Sequence, residues 1–237
     1  MKPRHPHFFG LGFVLAFVLL LSAPLRASAA DSVGEVLSVT GICKAERDGK
    51  SRSLSNGDAV NEGDTLTTDK GGRLQVKMRD GTTISLGDGA TYKITEYRDT
   101  GDKPAFRSRL GSGLLRMVTG SLVLKNPEGF DLTAPEAAVG IRGTTLTLQV
   151  SGDKTAVYVE ETKKQVFVNG IEVLAGFMMP AGGSKPQRFL QKELKRIQKS
   201  LVQSAQSRTK MRLGHDPERL EREAAEKAAS YLRPGRR

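Results

Sequence analysis

Residues able to carry catalysis or hold a metal are few in this chain, and they are scattered. Three histidines and one cysteine occur among 237 residues: His5, His7, His215 and Cys43. Zinc is held by sets of Cys, His and carboxylate, so a zinc site of the usual composition is close to excluded. A Ser-His-Asp triad would have to recruit His215, which sits in a turn far from most of the apolar sequence. Ser151-Gly152-Asp153-Lys154 and Ser207-Arg208-Thr209-Lys210 both match Ser-x-x-Lys, but neither has a companion Ser-Asp-Asn or Lys-Thr-Gly. The first contains turn residues and reads as a hairpin loop.

Oxygen ligands do cluster in "SNGDAVNEGD", residues 55–64, where Asn56, Asp58, Asn61, Glu62 and Asp64 are of a type that suits Ca²⁺. The spacing lacks the alternating-Asp rhythm of a calcium loop. Two tight turns using Asn, Asp and Gly account for it better. Gly111-Ser112-Gly113 lacks the third glycine and the lysine of a phosphate-cradling loop. Carboxylates such as Asp80 or Asp88 leave a weak reading as an enzyme acting on envelope carbohydrate. The expectation is therefore a non-catalytic protein, with no cofactor and no small-molecule substrate identified.

The elements that would position these groups divide the chain. Lys2 and Arg4 precede an uncharged run from Phe8 to Leu25, and Ala27-Ser28-Ala29 offers a small-x-small cleavage pattern. Residues 1–30 read as a signal peptide, with an uncleaved membrane anchor as the alternative. Either way the remainder is expected to be exported to the periplasm. Cys43 fits that compartment as a small buried hydrophobe.

The net charge of +11 belongs to the ends. Residues 1–30 hold three basic and no acidic residues, and 184–237 hold 15 basic against 6 acidic. The middle, with 19 against 20, is nearly neutral. A nucleic-acid role is not expected: the basic tail has Phe189 and Tyr231 as its only aromatic residues, which provides poorly for base stacking.

Residues 31–180 read as one all-β domain of short twisted strands and hairpins, sandwich- or solenoid-like. Turn signals such as Asp48-Gly49, Asn56-Gly57-Asp58, Glu62-Gly63-Asp64 and Gly71-Gly72 punctuate short alternating runs. In "RLQVKMRDGTTISL", Asp80-Gly81 predicts a two-residue type I′ turn, as Asn169-Gly170 does in "KQVFVNGIEVL". Residues 181–187 read as a linker. A basic tail of two helices over 188–233 follows, its first stripe formed by Leu190, Leu194, Ile197 and Leu201. Asp216-Pro217 opens the second helix, with Leu220, Ala224 and Ala228 inside. The tail has two destinations: packing on the β domain or on a second copy, or contact between its basic face and anionic lipid or cell-wall polymer.

"PEAAVGIRGTTLTLQV", residues 135–150, changes phase in mid-course. Ala137, Val139 and Ile141 are odd, whereas Leu146, Leu148 and Val150 are even. A strand that keeps one face buried cannot change parity without an inserted residue, so a β-bulge with Gly143 in the left-handed region is expected. Arg142 beside it is expected to clamp backbone carbonyls or a carboxylate, or to contact a partner. Arg142, Gly143 and Thr144 thus form the one motif singled out.

That stretch, taken from Thr133, resembles the signature of the FecR family: Thr133, Pro135, Ala137, Val139, Ile141, Arg142, Gly143, Thr144, Leu146 and Val150. "VGEVLSVTG", "NGDAVNEGDTLTTDKGGRLQVKMRDGTTISL", "GSLVLKNP" and "TAVYVEETKKQVFVNG" accompany it in family order, so the likeness covers roughly residues 33–176. The resemblance implies a periplasmic all-β domain whose role is protein contact, with a protein partner at the envelope. The family's well-known members carry a cytoplasmic anti-sigma segment. Only about seven residues precede the apolar run here, so that segment is not expected.

Overall fold

The computed structural model describes residues 32–141, 143–180, 182–199 and 201. The expected second helix and the signal segment lie outside these residues. The domain is all-β, as the alternation requires, and ends in one short helix over residues 191–199.

In chain order the strands are β1 (Ser32–Thr40), β2 (Cys43–Arg47), β3 (Lys50–Ser53), β4 (Ala59–Asn61), β5 (Thr65–Thr68) and β6 (Arg73–Met78). Next come β7 (Thr83–Leu86), β8 (Thr91–Arg98) and the long β9 (Ala105–Val118). A short helix, Leu122–Lys125, leads to β10 (Phe130–Ala134), β11 (Ala137–Gly140), β12 (Thr144–Ser151) and β13 (Lys154–Thr162). The last four are β14 (Phe167–Val168), β15 (Ile171–Glu172), β16 (Phe177–Met179) and β17 (Gln187–Arg188). Gln187 thus extends the ordered sheet into the segment read as a linker.

Two ladders account for all of them. One runs β4-β1-β6-β7-β9-β12-β13-β16-β17, every pair antiparallel. The other runs β3-β2-β5-β8-β9-β10-β11-β14-β15, with β9–β10 parallel. Strand β9 belongs to both. Residues 105–112 pair with β8 and residues 113–118 with β12, so the strand leaves one sheet for the other at Gly111-Ser112-Gly113. The inner faces of both ladders share one core, with Val76, Ile84, Leu115 and Leu148 from the first and Leu66, Tyr92, Phe106 and Leu132 from the second. A face-to-face sandwich is the result. Its edges are short, and β3 carries Lys50 and Arg52, features that discourage pairing with another strand.

The turns differ in an instructive way. Asn169 and Gly170 both take positive φ, 51° and 78°, and Val168 pairs with Ile171, which is the expected two-residue turn. The β6–β7 loop departs from expectation. Gly81 alone is left-handed (φ 88°), its N–H bonds the Met78 carbonyl, and the Met78 N–H bonds the Thr82 carbonyl. This is a three-residue loop closed by a glycine bulge. The Asp80 side chain explains the difference: Oδ1 accepts from the Thr82 N–H (3.1 Å) and Oδ2 from the Thr82 hydroxyl (2.7 Å). The turns of 55–64 likewise use their acids locally, the Ser55 N–H bonding Asp58 and the Asn61 N–H bonding Asp64. Asp64 is buried and also pairs with Arg52 at 2.6 Å.

Tyr92 places a hydroxyl in the centre of this core. It is fully buried beside Ser108, and neither hydroxyl makes a hydrogen bond of normal geometry. Burial pushes the Tyr92 hydroxyl far above its ordinary range. Above about pH 10 the unfolded chain releases this proton while the folded chain keeps it, so stability falls as pH rises. Tyr92→Phe is therefore expected to hold or gain stability at neutral pH, by up to about 1 kcal/mol. It should also flatten the alkaline decline, as urea unfolding at pH 7 and at pH 11 would show.

Candidate partner-binding cleft at the sheet crossover

The parity change at 141–144 is real, but a bulge within one strand is not its cause. Strand β11 pairs with β10 and β14 in one sheet, and β12 pairs with β9 and β13 in the other. The chain crosses the sandwich at this corner. Ala137, Val139 and Ile141 are buried from one side, and Thr144, Leu146 and Leu148 from the other. Gly143 makes the crossing with φ +80°, a value that costs a residue bearing a Cβ about 1–2 kcal/mol. Arg142, read as a clamp or contact, lies outside the described residues.

Hydrogen bonds pin the corner. The Thr144 N–H donates to Thr119 Oγ1 at 2.8 Å, and the Thr119 N–H donates to the Thr144 carbonyl at 3.1 Å. The Thr144 and Thr162 hydroxyls lie 3.2 Å apart, and the Lys163 N–H bonds the Gly143 carbonyl at 2.9 Å. A β-carbon on Gly143 would lie 3.3 Å from Leu124 Cδ2, the flexible end of an exposed side chain. Gly143→Val is therefore expected to cost about 2 kcal/mol, mostly backbone strain, without abolishing the fold. A thermal melt equal to that of the wild type would remove this account of the corner.

Beside Gly143 opens a cleft of about 340 Å³, lined by Val118, Thr119, Leu124, Thr144, Glu161 and Lys163 among others. Val118 is 37 % exposed and Leu124 52 %, so two apolar side chains face solvent next to a Lys and a Glu. Leu124 was open to recognition in the sequence. In "SLVLK" three consecutive apolar residues enter one helical turn, and one of them must point outward. Leu122 and Val123 take the core. Gly143 and Thr144 belong to the motif singled out above, whereas the remaining lining residues come from the ends of β9, β12 and β13 and the loops beside them and carry no local signal.

A family model described as FecR protein matches residues 64–163, which includes the corner, the cleft and most of the shared sandwich. Residues 64–163 are a FecR domain. Two crystal structures of a candidate anti-sigma factor from Parabacteroides distasonis ATCC 8503 are also similar. The 2.50 Å structure has a TM-score of 0.40 and 19 % identity over 53 % of this chain and 58 % of that one. The 1.65 Å structure has 0.41 and 20 % over 56 % and 64 %. The chain thus spans about three-fifths of those proteins. No curated protein matches it. The FecR match supports a signalling or regulatory module.

The remaining sequence candidates take local positions in this FecR domain. Asp80 Oδ1 also accepts from the Tyr97 hydroxyl (3.2 Å) and Oδ2 from the Leu122 N–H (3.3 Å), so both oxygens are engaged. Asp88 accepts from the Gly71 N–H. Ser151 and Lys154 face each other across the β12–β13 turn. Cys43 is buried, its thiol pushed up by burial and directed at the Arg73 carbonyl at 3.3 Å. Among the described residues no group of three or more His, Cys, Asp or Glu is placed to share a metal ion.

Proposed function

We propose that this chain is an exported, periplasmic, non-catalytic adaptor whose FecR domain holds a protein partner at the cell envelope through the crossover cleft. The carrying observation is the pairing of exposed Val118 and Leu124 with Lys163 and Glu161 at the family's signature corner. An apolar centre with a charged rim is the composition of a protein-docking patch. The engagement of both Asp80 oxygens by backbone and side-chain donors supports the non-catalytic part of the reading. The basic n-region, apolar run and Ala27-Ser28-Ala29 support export.

A pull-down from envelope extract compares the wild type with Leu124→Asp. Leu124 is exposed, so its replacement leaves stability within about 0.5 kcal/mol. The expected result is a discrete protein that is retained by the wild type and lost with Leu124→Asp. Recovery of the bait alone, or equal recovery by both, contradicts the reading.

A further inference from the structure

The helix at 191–199 is two-faced, and only one face is used by the domain. Leu194 is buried, and with Phe189 and Tyr158 it forms a cluster on the outer side of the β13 sheet, with Ala156, Met178 and Ile197 packed around it. The rings of Tyr158 and Phe189 meet edge to face at 5.5 Å between centroids. Gln198 Nε2 donates to Glu160 Oε1 (2.7 Å) and to Thr147 Oγ1 (3.1 Å), and the same Glu160 pairs with Arg116 at 3.0 Å. The helix is thereby docked in a fixed rotation. Leu190, expected in the stripe, is 72 % exposed, because Phe189 takes the anchoring place.

Fixing that rotation aims the other face outward. Lys192, Lys195, Arg196 and Lys199 follow one another at intervals of three, one and three, so they share one side of the helix, and all four are exposed. They surround a shallow hollow. Among the described residues none of the four makes an ion pair. Exposed apolar side chains stand at the helix's leading end: Leu190, and Leu174 of the loop whose Gly176 carbonyl accepts from the Phe189 N–H at 3.3 Å. Four cations in one stripe with leucines at its end suit an anionic bilayer surface, where headgroups attract the charges and the leucines enter the interface.

We propose that this stripe is a docking surface for anionic phospholipid headgroups, and that the docked helix thereby sets the orientation of the sandwich on a membrane. The inference goes beyond the partner-binding reading and uses none of the cleft residues.

The test measures how the full chain partitions onto phosphatidylglycerol and onto phosphatidylcholine vesicles at 0.1 M salt. The ratio of the two is the readout, because the apolar run near the N-terminus contributes alike to both. The variant Lys192→Gln/Lys195→Gln/Lys199→Gln is compared with Lys50→Gln/Lys93→Gln/Lys103→Gln, which removes equal charge from exposed sites elsewhere. About fivefold per basic side chain at an anionic surface predicts roughly a hundredfold drop in the ratio for the stripe variant. The control variant is expected to change it less than fivefold. Equal losses in the two lysine variants, no loss in the stripe variant, or binding to heparin without binding to vesicles each overturns the proposal. Far-ultraviolet circular dichroism and melting temperature confirm that the variants compared are folded.

Discussion

Gly113→Ala is expected to destabilise the sandwich by roughly 3–5 kcal/mol, the sum of left-handed strain and overpacking against backbone. Gly113 has φ +84°, and a β-carbon there would lie 2.5 Å from Ala90 Cα and 2.7 Å from the Ala90 nitrogen. Both contacts are to main chain, which cannot swing aside as the end of a side chain can. The position matters because β9 changes sheets there, pairing with β8 on one side and β12 on the other. Gly152→Ala is the control. Gly152 is also left-handed (φ +60°), but nothing lies within 4 Å of its added carbon. It should cost about 1 kcal/mol. Urea midpoints of the two variants should differ severalfold in their displacement from the wild type. Similar midpoints would mean that the β9 bend tolerates a side chain and that the sheets are not joined as described.

Asp80→Ala carries the second large effect, about 3 kcal/mol, from the loss of charge-assisted hydrogen bonds to partly buried donors. The carboxylate ties the β6–β7 loop to the Tyr97 hydroxyl and to the Leu122 N–H, the first of the short helix. The same helix carries Leu124, which lines the cleft, so the loop and the docking patch share a support. For a domain of this size the melting temperature should fall by about 10 °C. Tyr97 supplies an independent readout. Its hydroxyl is pushed up first by burial and then by the Asp80 charge, so the alanine variant should titrate closer to the ordinary tyrosine range by ultraviolet difference spectroscopy. A variant that keeps its melting temperature while losing a hydrolytic activity on envelope carbohydrate would instead revive the enzymatic reading of this residue.

The fold was legible in the sequence wherever the cause was local. Alternation gave the strands, and Asn169-Gly170 gave its turn, because two positive φ values in a row admit few residue pairs. The parity change around Gly143 was legible too, since the core claims odd residues before it and even ones after. What one strand's periodicity could not reveal was that the two halves lie in different sheets, which depends on pairing with β9, β10, β13 and β14. Gly111-Ser112-Gly113 illustrates the same limit. As a phosphate loop it was incomplete, and its use as the bend of β9 rests on contact with Ala90, some twenty residues earlier. Asp80-Gly81 misled for a chemical reason: the Asp side chain bonds forward to Thr82 and favours a loop one residue longer than the dipeptide suggests. In the tail, the 4-3-4 spacing placed Leu194 and Leu201 correctly but could not rank Phe189 over Leu190, because the helix begins only at residue 191.

The cleft itself was the least legible part. Val118, Leu124, Thr144 and Lys163 are brought together by the crossover and share no motif. A photo-crosslinking amino acid placed at Leu124, with Lys50 on the short edge strand β3 as the comparison, probes the cleft in intact cells. A discrete protein adduct formed from position 124 and absent from position 50 is the result expected of a docking surface at the crossover. Adducts from position 50 alone, or none from either position, would contradict it.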